Sequence, residues 1–299
     1  MPFPLSTHPA PQLPESAFNK GPVALVAAHP GHEARIYGWL GRLRPTVYVL
    51  TDGSGHGDRG RLASSTTLLR RAEAAPGKIF GRLTDREAYR WILTHRVDAV
   101  LDLVHELAAQ LVAGRVRHVI SDAVEGMNPV HDLCFVVTSA AVRIARRDLG
   151  TSISHHDFLL EAAPDGRDHE SPLVLQLSDR QLDEKLDAAL AYRELRFEVE
   201  RALSLHGREA FRKEVLYPVA EPVDLVARVG DPPLYESFGA RRVADGIYSE
   251  VLEFRRHFEP LVSSLLAELF AASTSADSTS ADTTSAEPKP EKSAPCASC

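Results

Sequence analysis

Short β-branched apolar runs, each closed by a loop and followed by helical spacing, recur through the first half of this 299-residue chain. Residues 23–28 (VALVAA) run into His29-Pro30-Gly31, after which Ile36, Trp39, Leu40 and Leu43 recur at helical intervals. Residues 46–50 (TVYVL) run into Thr51-Asp52-Gly53-Ser54-Gly55, with a helix expected near 64–74. The stretch 84–113 reads as two helices, with Thr84 and Glu87 spaced as a capping box, and 117–121 (RHVIS) reads as the next strand. A loop then leads to Asn128, a good N-cap, with Pro129 suited to the first helical position and an apolar helix running to about residue 148. This alternation predicts an α/β fold whose mostly parallel sheet is covered by helices on both faces. Ligands of such sheets bind beyond the carboxyl ends of the strands.

The second half is less patterned. Strands are expected at 158–161 and 173–177, a long helix at 179–205 and another at 247–270, all completing a single domain over 21–270. Residues 1–20 hold five prolines and form an expected surface extension. Residues 273–287 are three near-copies of one pentapeptide (STSAD, STSAD, TTSAE), so 271–299 is expected to be a disordered low-complexity tail. Cys296 and Cys299 in that tail have the spacing of a redox or metal pair but no folded support.

With 44% hydrophobic and 25% charged residues the chain can bury a core, yet no apolar run is long enough to span a bilayer. The N-terminus has no basic and apolar leader pattern, and a net charge of -7 leaves no broad footprint for nucleic acid or anionic lipid. Only Cys134 falls among the patterned residues, as in a reducing compartment. The expectation is a cytoplasmic protein with a small-molecule partner, no nucleic-acid or membrane partner, and room for a homo-oligomer.

Two strand-to-helix junctions share one construction. His29 and His32 flank the first, and His131 stands in the first turn after the second. Exposed loop histidines are the plain alternative. Three neutral imidazoles would nevertheless suffice for a catalytic zinc, or a similar divalent ion, that keeps a position open for water.

The segment VALVAAHPGHEAR resembles the opening of the LmbE-like, or PIG-L, deacetylase family, in which a strand leads into Ala-His-Pro-Asp-Asp-Glu; Ala28, His29, Pro30 and Glu33 match. The segment EGMNPVHD is similar to that family's second motif at Glu125, Gly126, Pro129, His131 and Asp132. The resemblance covers roughly residues 22–150. It implies a Rossmann-like three-layer sandwich, zinc held at His29, His32 and His131, and removal of acetyl groups from N-acetylated amino sugars.

The departures matter too. The family's general base falls on Gly31, which cannot accept a proton; its second Asp is His32, a histidine that helps the oxyanion is Asn128, and the Asp before the last ligand is Val130. Asp52 and Asp122, each just after a strand, are the preferred replacement bases, with Glu33, Glu125 and Asp132 as further acidic neighbours. Asn128 can still donate a hydrogen bond to the acyl oxygen. The reading is a metal-dependent amide hydrolase of a small N-acylated, sugar-like substrate. A noncatalytic binding module and a three-His metal enzyme of altered chemistry stand as the alternatives. The clusters His155-His156-Asp157, Arg241-Arg242 and Arg255-Arg256-His257 are read as exposed.

Overall fold

A computed structural model of the chain describes residue 18 and residues 21–55, 59–167, 171–221 and 223–280. In chain order it runs β1 (Val23–Ala27), a 3-10 turn (His32–Ile36), α1 (Tyr37–Leu43), β2 (Thr46–Thr51), α2 (Leu62–Arg71), β3 (Ala75–Leu83), α3 (Asp85–Leu93), α4 (Val97–Ala113), β4 (His118–Asp122) and α5 (Pro129–Leu149). There follow β5 (Ser154–Phe158), β6 (Leu173–Gln176), α6 (Asp179–Ala191), α7 (Arg196–His206), β7 (Lys213–Pro218), α8 (Leu225–Val229), α9 (Leu234–Ala244), a π turn (Phe254–Phe258) and α10 (Glu259–Ser280).

The strands form one seven-stranded sheet in the order β3-β2-β1-β4-β5-β7-β6. The first five are parallel, and β7 pairs antiparallel with both β5 and β6. The expected α/β, mostly parallel architecture is therefore the one observed. Alternation along β1 and β2 sends successive side chains to opposite faces. Ala24, Val26, Tyr48 and Leu50 pack under α3, α4, α5 and α10. Val23, Leu25, Val47 and Val49 pack under α1, α2 and α6. Every residue of β1 is buried, as a central strand covered on both faces must be.

Several elements depart from expectation. β3 carries Pro76, Gly77 and Gly81, a composition that hides a strand and is tolerated because β3 is the sheet's edge. The fifth strand lies at Ser154–Phe158 rather than 158–161, so His155 and Asp157 are buried rather than exposed. Arg167 and Arg228 each place a guanidinium nitrogen 2.6 Å from a carboxylate oxygen of Asp157. The expected helix over 179–205 breaks into α6 and α7, with Tyr192 buried at the break. The stretch 247–270 becomes helical only from Phe254, and α10 continues to Ser280, into the segment expected to lack structure. Ala267 and Ala271, the best of helix formers, favour that continuation. The proline-rich extension, apart from Phe18, and the remainder of the tail with Cys296 and Cys299 lie outside the described residues.

Candidate active site

β1 sits between β2 and β4, so the strand order reverses at the β1/β4 boundary and a crevice opens beyond their carboxyl ends. The chain leaves β1 through Ala28 and His29, and it leaves β4 through Asp122 toward the N-terminus of α5. Asp122 is fully buried behind His32: its Oδ2 accepts from the Ala28 N–H at 2.7 Å and lies 2.8 Å from His32 Nδ1.

The three imidazoles predicted as ligands converge there. Ring centroids are 5.2 Å apart for His29 and His32, 5.0 Å for His29 and His131, and 4.5 Å for His32 and His131. Imidazoles on one tetrahedral ion with bonds of about 2.0–2.1 Å would hold their centroids about 5 Å apart. Among the described residues, however, no group of three or more His, Cys, Asp and Glu side chains is arranged as a finished metal-ion site. The rings are close neighbours whose donor nitrogens do not meet at one point.

Hydrogen bonds orient two of the rings. The Thr51 hydroxyl donates to the Ala28 carbonyl at 3.0 Å and therefore accepts from His29 Nδ1 at 2.7 Å. That bond places the His29 proton on Nδ1 and leaves the Nε2 lone pair free. Asp122, when ionised, can only accept and so holds His32 in the same tautomer. Burial, reinforced by the neighbouring histidines, pushes His32 and His131 well below the ordinary imidazole range, so both are neutral at pH 7. Burial also pushes Asp122 up to about 7, against the opposing pull of the Ala28 N–H and His29.

Asp85, which the sequence reading missed, is the counterpart of Asp122. Its Oδ1 lies 2.9 Å from His29 Nδ1, and its Oδ2 accepts from the Gly55 N–H. Burial alone would raise its carboxyl, but His29, Thr51 and the Gly55 N–H outweigh burial and hold it well below the usual range. Asp85 opens α3 directly after β3, the same strand-to-helix construction as the two histidine junctions. Once the proline and glycines of β3 concealed that strand, the junction was concealed with it.

The other predicted residues separate by position. Asn128 lines the cleft, and its Oδ1 caps α5 by accepting from the Val130 N–H at 2.9 Å, which leaves the carboxamide NH2 as a donor. Asp52 turns its Oδ1 back to the Ser54 N–H, and neither Asp52 nor Asp122 is among the cleft-lining residues. Glu33 is fully buried away from the cleft, accepting from the Gly31 N–H and the Ser65 hydroxyl. Asp132 accepts from the N–H groups of Glu125 and Gly126 and braces that loop. Glu125 accepts from the N–H groups of Leu160, Glu161 and Ala162, so it fixes the loop that brings Glu161 to the cleft.

Gly31 is more than an absent carboxylate. Its φ of +111° lies where L side chains rarely go, and a Cβ built there would overlap Leu195 Cδ1. The break between α6 and α7 delivers Leu195 into that space. Arg61, also unforeseen, lines the cleft and adds positive charge near His32 and His131.

No protein-family model and no curated protein matches this chain. Among solved structures it is similar to the deacetylase Dbv21 of the A40926 pseudoaglycone, at 15% identity over 69% of this chain and 100% of that one, with a TM-score of 0.48. It is similar to the conserved protein TT1542 from Thermus thermophilus, at 17% identity over 70% and 98% of the two chains, with a TM-score of 0.46. It is also similar to the zinc-inhibited form of the teicoplanin deacetylase Orf2, at 13% identity over 67% and 100%, with a TM-score of 0.45. Deacetylases thus stand among the structures it is similar to, as the motif resemblance implies. Their activities are their own, and at these values the likeness adds nothing to the side-chain geometry.

Proposed function

We propose that this protein is a metal-dependent amide hydrolase that removes an acyl group from a small N-acylated, sugar-like substrate. The observation that carries the reading is the convergence of His29, His32 and His131 at the strand-order reversal, with Asp85 and Asp122 behind the first two rings. The donor set suits zinc or a similar divalent ion, since imidazole nitrogens are its usual ligands and burial keeps His32 and His131 neutral. Such an ion, when bound, supplies an acidified water and a pull on the acyl oxygen.

The chain's own groups supply the rest. Asp122 and Thr51 hold the Nδ1 protons of His32 and His29 and so aim their Nε2 lone pairs; Asp122 thereby acts through His32 rather than on substrate. The Asn128 carboxamide NH2 donates to the acyl oxygen as charge develops there. Three carboxylates line the cleft: Asp85, Glu161 and Glu250. Asp85 is committed to His29, whereas Glu161 rides on the loop fixed by Glu125 and is raised by burial and by the Glu125 charge. Glu161 is the proton acceptor in this reading, replacing the carboxylate that Gly31 lacks. Asp52 shapes the loop after β2 by accepting from the Ser54 N–H.

The substrate is a small molecule, neither nucleic acid nor membrane lipid, and turnover takes place in the cytoplasm. No helix among the described residues is long and apolar enough to cross a membrane. The test is acetate release from a panel of N-acetyl amino sugars by the zinc-loaded chain. Turnover abolished by His131→Ala and lowered about 100-fold or more by Glu161→Gln supports the reading. A well-folded, zinc-loaded chain that binds the sugars without hydrolysing any of them is a binding module instead.

A further inference from the structure

The cleft is larger than the amide chemistry requires. Its volume of about 1000 Å3 lies at the top of the range of roughly 300–1000 Å3 usual for small-molecule sites. The histidine end is buried, with His29 only 6% and His131 only 7% exposed. Another part of its rim is built differently. α3 contributes Arg86, Tyr89 and Arg90, while α9 and the residues after it contribute Phe238, Arg242 and Ile247.

Two features of that rim call for an occupant. Phe238 and Ile247 are among the few large hydrophobic side chains left exposed, at 45% and 48%, and both line the cleft. The guanidinium groups of Arg86, Arg90 and Arg242 make no hydrogen bond or ion pair with any described residue, although arginines elsewhere on this acidic chain pair readily, as Arg96 does with Asp98 and Arg255 with Glu259. Arg86 and Arg90 are one helical turn apart and so project from the same side of α3. Arg61, nearer the histidines, brings the cleft's arginines to four; the opposing carboxylates are Asp85, already held by His29, and Glu161 and Glu250.

We infer that this rim is a specificity subsite for the part of the substrate beyond the sugar, and that it takes a flat aromatic group bearing a carboxylate or phosphate. The inference rests on the reading of the histidine end as the place where the amide is cleaved. A guanidinium fork matches a carboxylate or phosphate and stacks on an aromatic face, as Arg241 already does on one face of Phe238, while the rest of Phe238 and Ile247 cover the ring. An acidic aromatic conjugate uses both kinds of wall at once; a neutral polyol uses neither.

The test compares methyl, phenyl and 4-carboxyphenyl N-acetyl-β-D-glucosaminides on the zinc-loaded full chain, with affinity read by calorimetry and cleavage by acetate release. The 4-carboxyphenyl probe is expected to bind about tenfold more tightly than the phenyl probe. That ratio shrinks with added salt and approaches one in the Arg90→Ala/Arg242→Ala double variant. Phe238→Ala reduces the advantage of phenyl over methyl. Equal affinities in the wild type, a ratio that survives the double variant, or no binding of any probe overturns the inference. Acetate release from all three at equal affinity overturns the rim assignment alone. A carboxylate preference without any acetate release overturns the hydrolase reading and leaves the rim in place.

Discussion

Asp122 hydrogen-bonds the His32 ring, and Gly31 stands between His29 and His32 in the chain. Asp122 is fully buried, and its Oδ2 serves both the Ala28 N–H and His32 Nδ1. In Asp122→Asn the side-chain oxygen can still accept, but the group can no longer ionise behind the imidazole. Zinc affinity measured by competition with a chelator should fall roughly tenfold or more while the fold persists; an unchanged affinity would mean that Asp122 does not aim His32. Restoring an acid at position 31 should fail. Gly31→Asp forces an L residue to a φ of +111° and into Leu195, so unfolding should show a loss of about 2 kcal/mol or more. No gain in rate is expected, because the space in front of that Cβ belongs to Leu195 rather than to the cleft.

The N-terminus of α5 unites structural and chemical roles in one residue. Asn128 caps the helix with its carboxamide oxygen, and three positions later His131 joins the ring cluster. Asp is as good a cap but offers no NH2. Asn128→Asp should therefore leave the unfolding free energy within a few tenths of a kcal/mol while lowering kcat about 100-fold, whereas Asn128→Ala should lose about 1 kcal/mol of stability as well. Equal kcat in wild type and Asn128→Asp would remove Asn128 from the chemistry. This junction was readable in the sequence because Asn-Pro before an apolar helix has a single local meaning, and the His29 junction was readable from a β-branched run broken by His-Pro-Gly. Asp85 was not. The strand before it, with Pro76, Gly77 and Gly81, survives only through its place at the sheet edge, which is tertiary information. Leu195 was hidden for a similar reason: helical periodicity runs through 179–205, and the break is set by Tyr192, whose hydroxyl meets Ser65 Oγ at 2.9 Å and the Arg61 carbonyl at 3.2 Å.

Across the whole molecule, the sheet that aims the histidines also buries groups whose titration couples the fold to pH. His155, read from the sequence as exposed, is 3% exposed on β5, with Nε2 2.9 Å from Ser121 Oγ on β4. Burial, with the nearby His156, Arg146 and Arg228 charges, holds its imidazole down to about 3. Its unfolded value is about 6.5, so the unfolded chain takes up a proton first as pH falls. The stability it contributes is complete above about pH 6.5 and is lost between there and about pH 3, by up to about 1.4 kcal/mol per pH unit. In His155→Gln that contribution is absent, so unfolding free energies compared at pH 7 and pH 5 should fall less for the variant than for wild type; equal falls would show that His155 takes its proton in the folded state.

The proposed function stands on one premise, that His29, His32 and His131, whose rings lie 4.5–5.2 Å apart, bind a single cation together. Metal content of the full chain after equilibration with zinc and gel filtration measures this directly. The account predicts close to one zinc per wild-type chain, and loss of that zinc in each of His29→Ala, His32→Ala and His131→Ala with the fold retained. Wild-type chain that emerges folded without zinc, or His131→Ala that retains a full equivalent, would contradict it.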